Sequence, residues 1–337
     1  MAAYLDILKE VMDGNEWRYY KDLVPPRNLD NSDECKKFIM QFVKQSGKDD
    51  MSFLKNYEKE GGIRIRHIAS VFFFGCWIYQ HSDYIKESIN KDVDNIDSNL
   101  LDSQIENKKF YFIWFLIVMF HDVAHYNERV KKEEQITEAD KKLISNLFKG
   151  QEKRIKIKGN GTYSEDVIAK YANYRKKVDH GIIGGVNLFN ELQKIRVNNE
   201  KNDHNRCWEK GLNEIHHEVA YIIACHNIWF ANSFYNPEKK EEYKNKELEK
   251  LILESTYHVT ISKDPVLFLL LLVDSIEPIK HSMQKTLDIE LNEHLVIRTL
   301  KHDIKFDEKL QSLAEWLCPV EIKRNINSVE YSIHFKN

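Results

Sequence analysis

Eleven consecutive apolar residues, FYFIWFLIVMF over 110–120, constrain the fold of this chain more than any other feature. The run is hydrophobic on every side of a helix, so it predicts a helix over about 109–121 at the centre of the protein. A second run, VLFLLLLV over 266–273, has the same character. Both runs are too short to cross a bilayer, which needs about 20 apolar residues. The sequence therefore predicts two buried core helices and no membrane partner.

The rest of the 337-residue chain has the composition of amphipathic helices. Glycine (12 residues) and proline (6 residues) are scarce, and charged residues make up 31% of the sequence and alternate in sign. Few helix breakers and many charges at i, i+4 spacing favour helices over a β-sandwich or barrel. A period-two pattern, SVEYSIHF over 328–335, predicts a single strand or short β-hairpin. We therefore expect a mainly α protein with a short C-terminal β-hairpin.

Turn residues and polar stretches divide the chain into three predicted parts. Residues 1–55 are an N-terminal helical extension, 56–290 a central helical domain, and 291–337 a C-terminal extension. The central domain contains a polar loop or exposed helix pair over 82–108 and a charged insertion over about 128–178, which we expect to lie over the functional site. Its further predicted helices are at about 65–80, 180–195, 213–228 and 264–282.

Net charge and cysteine usage bear on partners and on the cellular compartment. The formal net charge is −3, so no overall field attracts nucleic acid, and the basic run KRIKIK over 153–158 is interpreted as a solvated strand or loop. The five cysteines are odd in number, widely spaced and form no CxxC pair, which is typical of reduced thiols. The chain opens MAAY and continues into a charged amphipathic segment without a signal peptide. These features predict a cytoplasmic protein.

Histidines and aspartates adjoin the strongly hydrophobic helical runs at five places. The residues are His67, His121-Asp122, His180, His226 and Asp274. Burying an ionisable side chain without a partner is costly, so five such places predict that these side chains satisfy one another or a cation. Imidazole and carboxylate groups are ligands that divalent metals accept. A second His-Asp pair, His302-Asp303, has no apolar helix before it and is interpreted as part of a solvated face.

The order of these residues resembles the H…HD…H…H…D signature of the HD-domain superfamily of metal-dependent phosphohydrolases. The resemblance covers about residues 60–285 and implies an HD-domain-like helical bundle. The segment VDSIEP over 273–278 is similar to the closing motif of the bacterial diadenosine tetraphosphate hydrolases in that superfamily. The intervals of 54, 59, 46 and 48 residues between the motifs are longer than in compact members, which is consistent with inserted loops.

The resemblance also implies a site with two divalent ions, drawn from Mn, Fe, Ni, Co or Mg. It assigns His67, His121, Asp122 and Asp274 to one ion, and Asp122, His180 and His226 to the other. Two such ions lower the pKa of a shared water, so that hydroxide forms near neutral pH, and they neutralise phosphoryl oxygens. The implied activity is that of a phosphohydrolase or phosphodiesterase. Its substrate would be a small-molecule nucleotide with a phosphomonoester, cyclic or polyphosphate linkage.

Two departures from the superfamily pattern leave alternatives open. Many members follow His-Asp with Gly-Lys, whereas HDVAH in this chain is similar to the pattern of mammalian-type cyclic nucleotide phosphodiesterases. His125 lies on nearly the same helical face as Asp122, so it is a candidate to protonate a leaving oxygen or bind phosphate, or else to bond a backbone carbonyl. The second departure is His216-His217, which competes with His226 as a source of metal ligand. We favour His226 because it ends the longer apolar run.

Basic and amide side chains close to the motifs are candidates for substrate binding: Arg64, Arg66, Arg175, Lys176, Asn227 and Lys280. The cationic side chains can clamp a phosphate, and the alternative for each is a solvated charge at a helix start. The alternative for Asn227 is a helix C-cap. Two other functions stay open. One is a nucleotide-binding regulatory module that keeps the fold without turnover, and the other is a metal-dependent nuclease, which the near-neutral net charge does not favour.

Overall fold

The structure is a computed structural model. It describes residues 2–49, 51, 54–55, 61–94, 109–125, 128, 137–148, 165–175, 179–201, 210–232, 237–253, 259–279, 286–300 and 303–335. Within these residues the chain is mainly α-helical and has a small antiparallel sheet near its C-terminus. The predicted mainly α class is therefore confirmed.

The helices are α1 (Ala2–Asp13), α2 (Ser32–Gln45), α3 (Gly62–His81), α4 (Asp83–Asp94), α5 (Lys109–Phe120), α6 (Glu138–Phe148), α7 (Glu165–Tyr174), α8 (His180–Lys201), α9 (Lys210–Cys225), α10 (Pro237–Asn245), α11 (Pro265–Ile276) and α12 (Ile304–Trp316). Every residue of α5 is buried, as its apolar sequence predicts. Helix α11 ends before the predicted boundary at 282, because Pro278 disfavours helical backbone at the residue before it. No helix in the described part of the chain is both long and apolar enough to cross a membrane.

The N-terminal helices pack into the same hydrophobic core as α3 and α5. Trp17, between α1 and α2, is fully buried, with its ring centroid 5.8 Å from that of Phe72 and 5.3 Å from that of Phe73. Phe42 of α2 stacks on Phe115 of α5 with ring centroids 3.7 Å apart. The first helices of the chain therefore bury the outer surface of the central helices.

Two polar segments of the sequence contain helices in the structure. Helix α4 lies in the segment 82–108 and buries one face against the core through Ile85, Ile89 and Val93. The predicted insertion over 128–178 contains α6 and α7. The basic run over 153–158 lies outside the described residues.

The C-terminal part forms a four-stranded antiparallel sheet where the sequence predicts only a hairpin. After a short parallel pair, β1 (Ala231–Asn232) and β2 (Ile252–Leu253), the strands are β3 (Thr286–Leu291), β4 (His294–Thr299), β5 (Val320–Arg324) and β6 (Val329–His334). The sheet order is β3-β4-β6-β5, and Tyr331 of β6 lies opposite Ile297 of β4 and Ile322 of β5. Strand β3 runs across the predicted domain boundary at residue 290, so the sheet includes residues from both sides of it.

Candidate metal centre

The predicted ligands converge where several core helices begin or end. Asp122 is common to two groups of buried or nearly buried side chains whose ligand atoms all lie within 4.8 Å of one another. One group is His67, His121 and Asp122, and the other is Asp122, His180 and His226. These two overlapping triads could hold metal ions.

The two carboxylate oxygens of Asp122 face different histidines. Its Oδ2 lies 3.6 Å from Nε2 of His121 and 3.8 Å from Nε2 of His67, whereas its Oδ1 lies 3.3 Å from Nε2 of His180. Asp274 joins the Oδ2 side, since its Oδ1 lies 3.1 Å from Nε2 of His67 and 3.8 Å from Nε2 of His121. Asp122 thus has the geometry of a carboxylate shared between two neighbouring ligand groups.

Backbone carbonyls orient two of the histidines. Nδ1 of His121 donates to the carbonyl of Val118 at 2.8 Å, and Nδ1 of His226 donates to the carbonyl of Ile223 at 2.7 Å. A carbonyl oxygen can only accept, so Nδ1 carries the proton in both rings, and a neutral ring then presents the Nε2 lone pair to the cluster. Nε2 of His121 is buried and makes no hydrogen bond within the described residues. An imidazole lone pair surrounded by carboxylates fits a divalent cation.

Buried glutamates orient the other two histidines. Nδ1 of His67 lies 2.8 Å from Oε2 of Glu277, and Nδ1 of His180 lies 2.5 Å from Oε2 of Glu128. Carboxylates that bond the second nitrogen of a metal-binding imidazole fix its orientation and increase its basicity. Neither glutamate was among the residues predicted from the sequence. The available signal for Glu277 was its position one helical turn after Asp274.

Burial and neighbouring charges set the protonation of the cluster. Burial would raise the pKa of Asp122, but His121, His180 and Arg64 outweigh it and hold the pKa well below its usual range. Burial lowers the pKa of His226 to about 3, so this ring is neutral. Burial would also lower the pKa of His180, but hydrogen bonds to Asp122 and Glu128 outweigh it and raise the pKa to about 10. Binding of a metal to His180 therefore requires the release of a proton.

His125 lies beside the second triad. Its ring centroid is 5.2 Å from that of His180. Burial, followed by the charge of Arg64, lowers the pKa of His125 to about 4, so the ring is neutral at neutral pH. Its Nδ1 is buried and has no hydrogen-bond partner in the described part of the chain. The structure thus places an imidazole next to the cluster, and its role in catalysis stays a prediction.

The arginines predicted to bind substrate have different surroundings. Nη1 of Arg64 donates directly to Oδ2 of Asp122, whereas Arg66 pairs with Asp30 of the N-terminal segment at 3.1 Å. Arg175 lies on the His180 side of the cluster, with Nη2 3.6 Å from Oε1 of Glu128. Of the predicted binding arginines, Arg64 therefore makes the direct contact with a cluster carboxylate.

Of the remaining candidates for substrate binding, only Asn227 lies within the described residues. Asn227 donates to Oδ2 of Asp179 at 2.7 Å and accepts from Nε1 of Trp229 at 3.3 Å, so both ends of its amide bond to the protein. Its role in substrate binding stays a prediction. Lys176 and Lys280 lie outside the described residues.

The competing histidines lie elsewhere on α9. His216 and His217 are buried, and the ring of His217 packs edge-on against Phe189 with centroids 5.1 Å apart. Among the described residues, His226 belongs to the second triad, and neither His216 nor His217 belongs to a triad. Asp303, in the second His-Asp pair, caps α12 by accepting from the backbone amides of Lys305 and Phe306.

Close packing of α8 and α9 brings His180 and His226 together. A Cβ at Gly185 would lie 2.3 Å from the carbonyl oxygen of Ala220, and one at Gly181 would lie 3.0 Å from Nδ1 of His226. Glycine is therefore required for this approach of the two helices. Asp179 caps α8 through the amide of Gly181 at 3.0 Å, which fixes the turn that carries His180.

Comparisons with protein-family models, with curated proteins and with solved structures found no match to this chain. The geometry establishes a mainly helical protein with a buried His/Asp cluster that can bind metal.

Proposed function

We propose that this chain is an HD-type phosphohydrolase that uses two divalent cations to hydrolyse a phosphate ester or anhydride of a small-molecule nucleotide. The observation that carries the proposal is the Asp122 carboxylate, whose two oxygens face two different sets of histidines. A carboxylate shared in this way is the arrangement that holds two cations close together. The order of the ligands along the sequence, which resembles the HD-domain superfamily, is a second and independent support.

The donor set suits this chemistry. The first triad together with Asp274 offers two imidazoles and two carboxylates, and the second triad offers two imidazoles and the shared carboxylate. When bound, two divalent cations lower the pKa of a water and neutralise the phosphoryl oxygens. Phosphoryl transfer depends mainly on such positioning and charge stabilisation. The protein has to supply only the orientation of the substrate and the movement of protons.

Two residues beside the ligands fit these tasks. Arg64 contacts Asp122 and its side chain is 20% exposed, so its guanidinium is a candidate to bind a phosphate oxygen of the substrate. His125 has a lowered pKa and a buried Nδ1 beside His180. A neutral imidazole in this position can accept a proton from the attacking water and return it to the leaving oxygen.

A screen of nucleotides in the presence of Mn²⁺ or Fe²⁺ tests the proposal. We expect turnover of at least one substrate among mono-, cyclic, di- and polyphosphate nucleotides. Asp122→Ala should abolish this turnover because it removes the shared ligand. Asp303→Ala is the matched control, since it removes a helix cap at a cost of about 1 kcal/mol in stability and leaves the cluster intact.

Each other outcome has a clear meaning. Equal activity of the two folded variants would contradict the assignment of Asp122. Binding of a nucleotide by the metal-loaded protein without any turnover would favour the regulatory module. Cleavage confined to polynucleotides would favour the nuclease.

A further inference from the structure

Glu277 is fully buried behind His67, and donors from several parts of the chain satisfy its carboxylate. Its Oε2 lies 2.8 Å from Nδ1 of His67, and its Oε1 accepts from the backbone amide of Ile279 at 2.8 Å. Ser70, one turn after His67 on α3, also hydrogen-bonds to the carboxylate. Burial would raise the pKa of Glu277, but the hydrogen bonds, first of all that of His67, outweigh it and lower the pKa.

Tyr4 extends this network to the N-terminal helix. Its hydroxyl lies 2.5 Å from Oγ of Ser70 and also hydrogen-bonds to Glu277. The side chain is 1% exposed, and its ring packs edge-on against Phe74 with centroids 5.3 Å apart. The ring is thus held in place by α3, and the hydroxyl is directed into the network.

These three side chains form one hydrogen-bonded group. The hydroxyls of Tyr4 and Ser70 each hydrogen-bond to the carboxylate of Glu277, and their oxygens lie 2.5 Å apart, where either can be the donor. Hydrogen bonds in a buried chain polarise one another, and an unsatisfied member is costly. Tyr4 therefore reaches Glu277 directly and also through Ser70, and Glu277 connects both hydroxyls to His67.

We propose that Tyr4 is a positioning residue for the metal ligand His67. By completing the donors around Glu277, it keeps this carboxylate in place, and the carboxylate fixes the ring orientation and the Nδ1–H tautomer of His67. The inference rests on the proposed metal role of His67 and requires no knowledge of the substrate. It makes α1 part of the metal centre, although the sequence predicts α1 as a separate extension.

Metal affinity of the full-length chain tests this role. Tyr4→Phe removes only the hydroxyl, and we expect it to weaken Mn²⁺ binding about five-fold, the equivalent of one net hydrogen bond. Tyr331→Phe is the matched control. Its hydroxyl is also buried and donates to a carboxylate, Asp307 at 2.7 Å, but in the C-terminal sheet. We expect this control to leave Mn²⁺ affinity unchanged, as measured by competition with a chelating dye.

A double-variant comparison separates positioning from general loss of stability. Glu277→Gln alone should weaken binding by about 10–100-fold, as changes in the partners of metal-bound histidines do. In that background Tyr4→Phe should have no further effect, because its influence on His67 passes through Glu277. Ser70→Ala removes the other hydroxyl that bonds to Glu277, and it should weaken Mn²⁺ binding to a similar degree as Tyr4→Phe.

The outcomes distinguish this inference from the proposed function. Unchanged affinity in both folded Tyr4→Phe and Ser70→Ala, with normal metal binding by the wild type, would overturn the role of Tyr4 and leave the metal centre standing. An additive effect of Tyr4→Phe on Glu277→Gln would also overturn it. Absence of Mn²⁺ binding by the wild type would overturn the proposed function and this inference together.

Discussion

The four histidines of the cluster share one orientation, but two kinds of acceptor hold their Nδ1 atoms. Nδ1 bonds a protein acceptor in every ring, and Nε2 is left for the cluster. The acceptor is a carboxylate for His67 and His180, and a backbone carbonyl for His121 and His226. A carboxylate increases the basicity of the imidazole more than a carbonyl does. Each triad therefore combines one histidine bonded to a carboxylate, which is the more basic imidazole, with one histidine bonded to a backbone carbonyl.

The number of bound ions is testable at single residues. If Asp122 is shared between two ions, His180→Ala and His226→Ala should each lose about one equivalent of metal. His216→Ala is the control, because His216 is a buried histidine of α9 outside both triads. Elemental analysis of proteins supplied with Mn²⁺ gives the count. Unchanged metal content in all three variants would contradict a second ion and leave a single ion on the His67 side.

The sequence predicted the cluster ligands better than their supports. Each ligand adjoins a long apolar run, where an unpaired ionisable group would be costly, and this made them recognisable. Glu128 lies in a charged stretch, where a glutamate is usually solvated. Only the folded chain shows that it is buried and bonded to His180. The carboxylates that bond to Nδ1 of the cluster histidines come from distant segments of the chain. Local residue patterns do not reveal such contacts.

At the level of elements, the pairing of α8 and α9 builds the His180 side of the cluster. Gly185 allows the two helices to touch backbone to backbone, whereas a Cβ at the neighbouring Gly184 would meet the side chain of Ile223 at an ordinary contact distance of 3.5 Å. The two glycines therefore offer a matched pair of substitutions on one helix. The same chemical change should have opposite effects at the two positions.

Gly185→Ala should lower the free energy of unfolding by about 1–3 kcal/mol, because the added methyl group overpacks the contact with Ala220. Gly184→Ala should be neutral or raise it by up to about 1 kcal/mol, since alanine favours a helix over glycine. Denaturant unfolding measures both. The first variant should also bind less metal, as His180 and His226 move apart. Equal stability of the two variants would show that the helices do not approach this closely.

The sequence predicted helices and strands correctly where a local hydrophobic pattern identifies them. The apolar runs identified α5 and α11, because a helix that is hydrophobic on all sides has to be buried. The sheet was only partly predicted. The alternation in β6 is visible in the sequence, but β5 is largely exposed and carries Glu321, Lys323 and Arg324, a composition equally typical of a solvated loop. Strand pairing is non-local, so these partners appear only in the folded chain.

At the level of the whole molecule, the predicted N-terminal extension shares the core of the central domain. We expect Trp17→Ala to lower the free energy of unfolding by about 3–5 kcal/mol, because it removes a fully buried ring that contacts α3. Val24→Ala, in the same segment but 61% exposed, should change it by less than about 0.5 kcal/mol. Chemical denaturation followed by circular dichroism measures both. A small effect of Trp17→Ala would indicate that residues 1–55 contribute little to the stability of the shared core.

The 210 residues that separate His67 from Glu277 have a consequence for the time at which metal can enter a newly made chain. If the cluster binds metal as proposed, all candidate ligands of the His180 side have been synthesised once His226 is added, whereas the His67 side waits for Asp274, 48 residues later. At about 5–20 residues per second this delay is about 2–10 s. Asp274 belongs to α11, a helix that also fills the core. Addition of α11 therefore completes the set of candidate ligands, while residues of the later sheet and of α12, such as Leu295 and Leu310, still have to join the core.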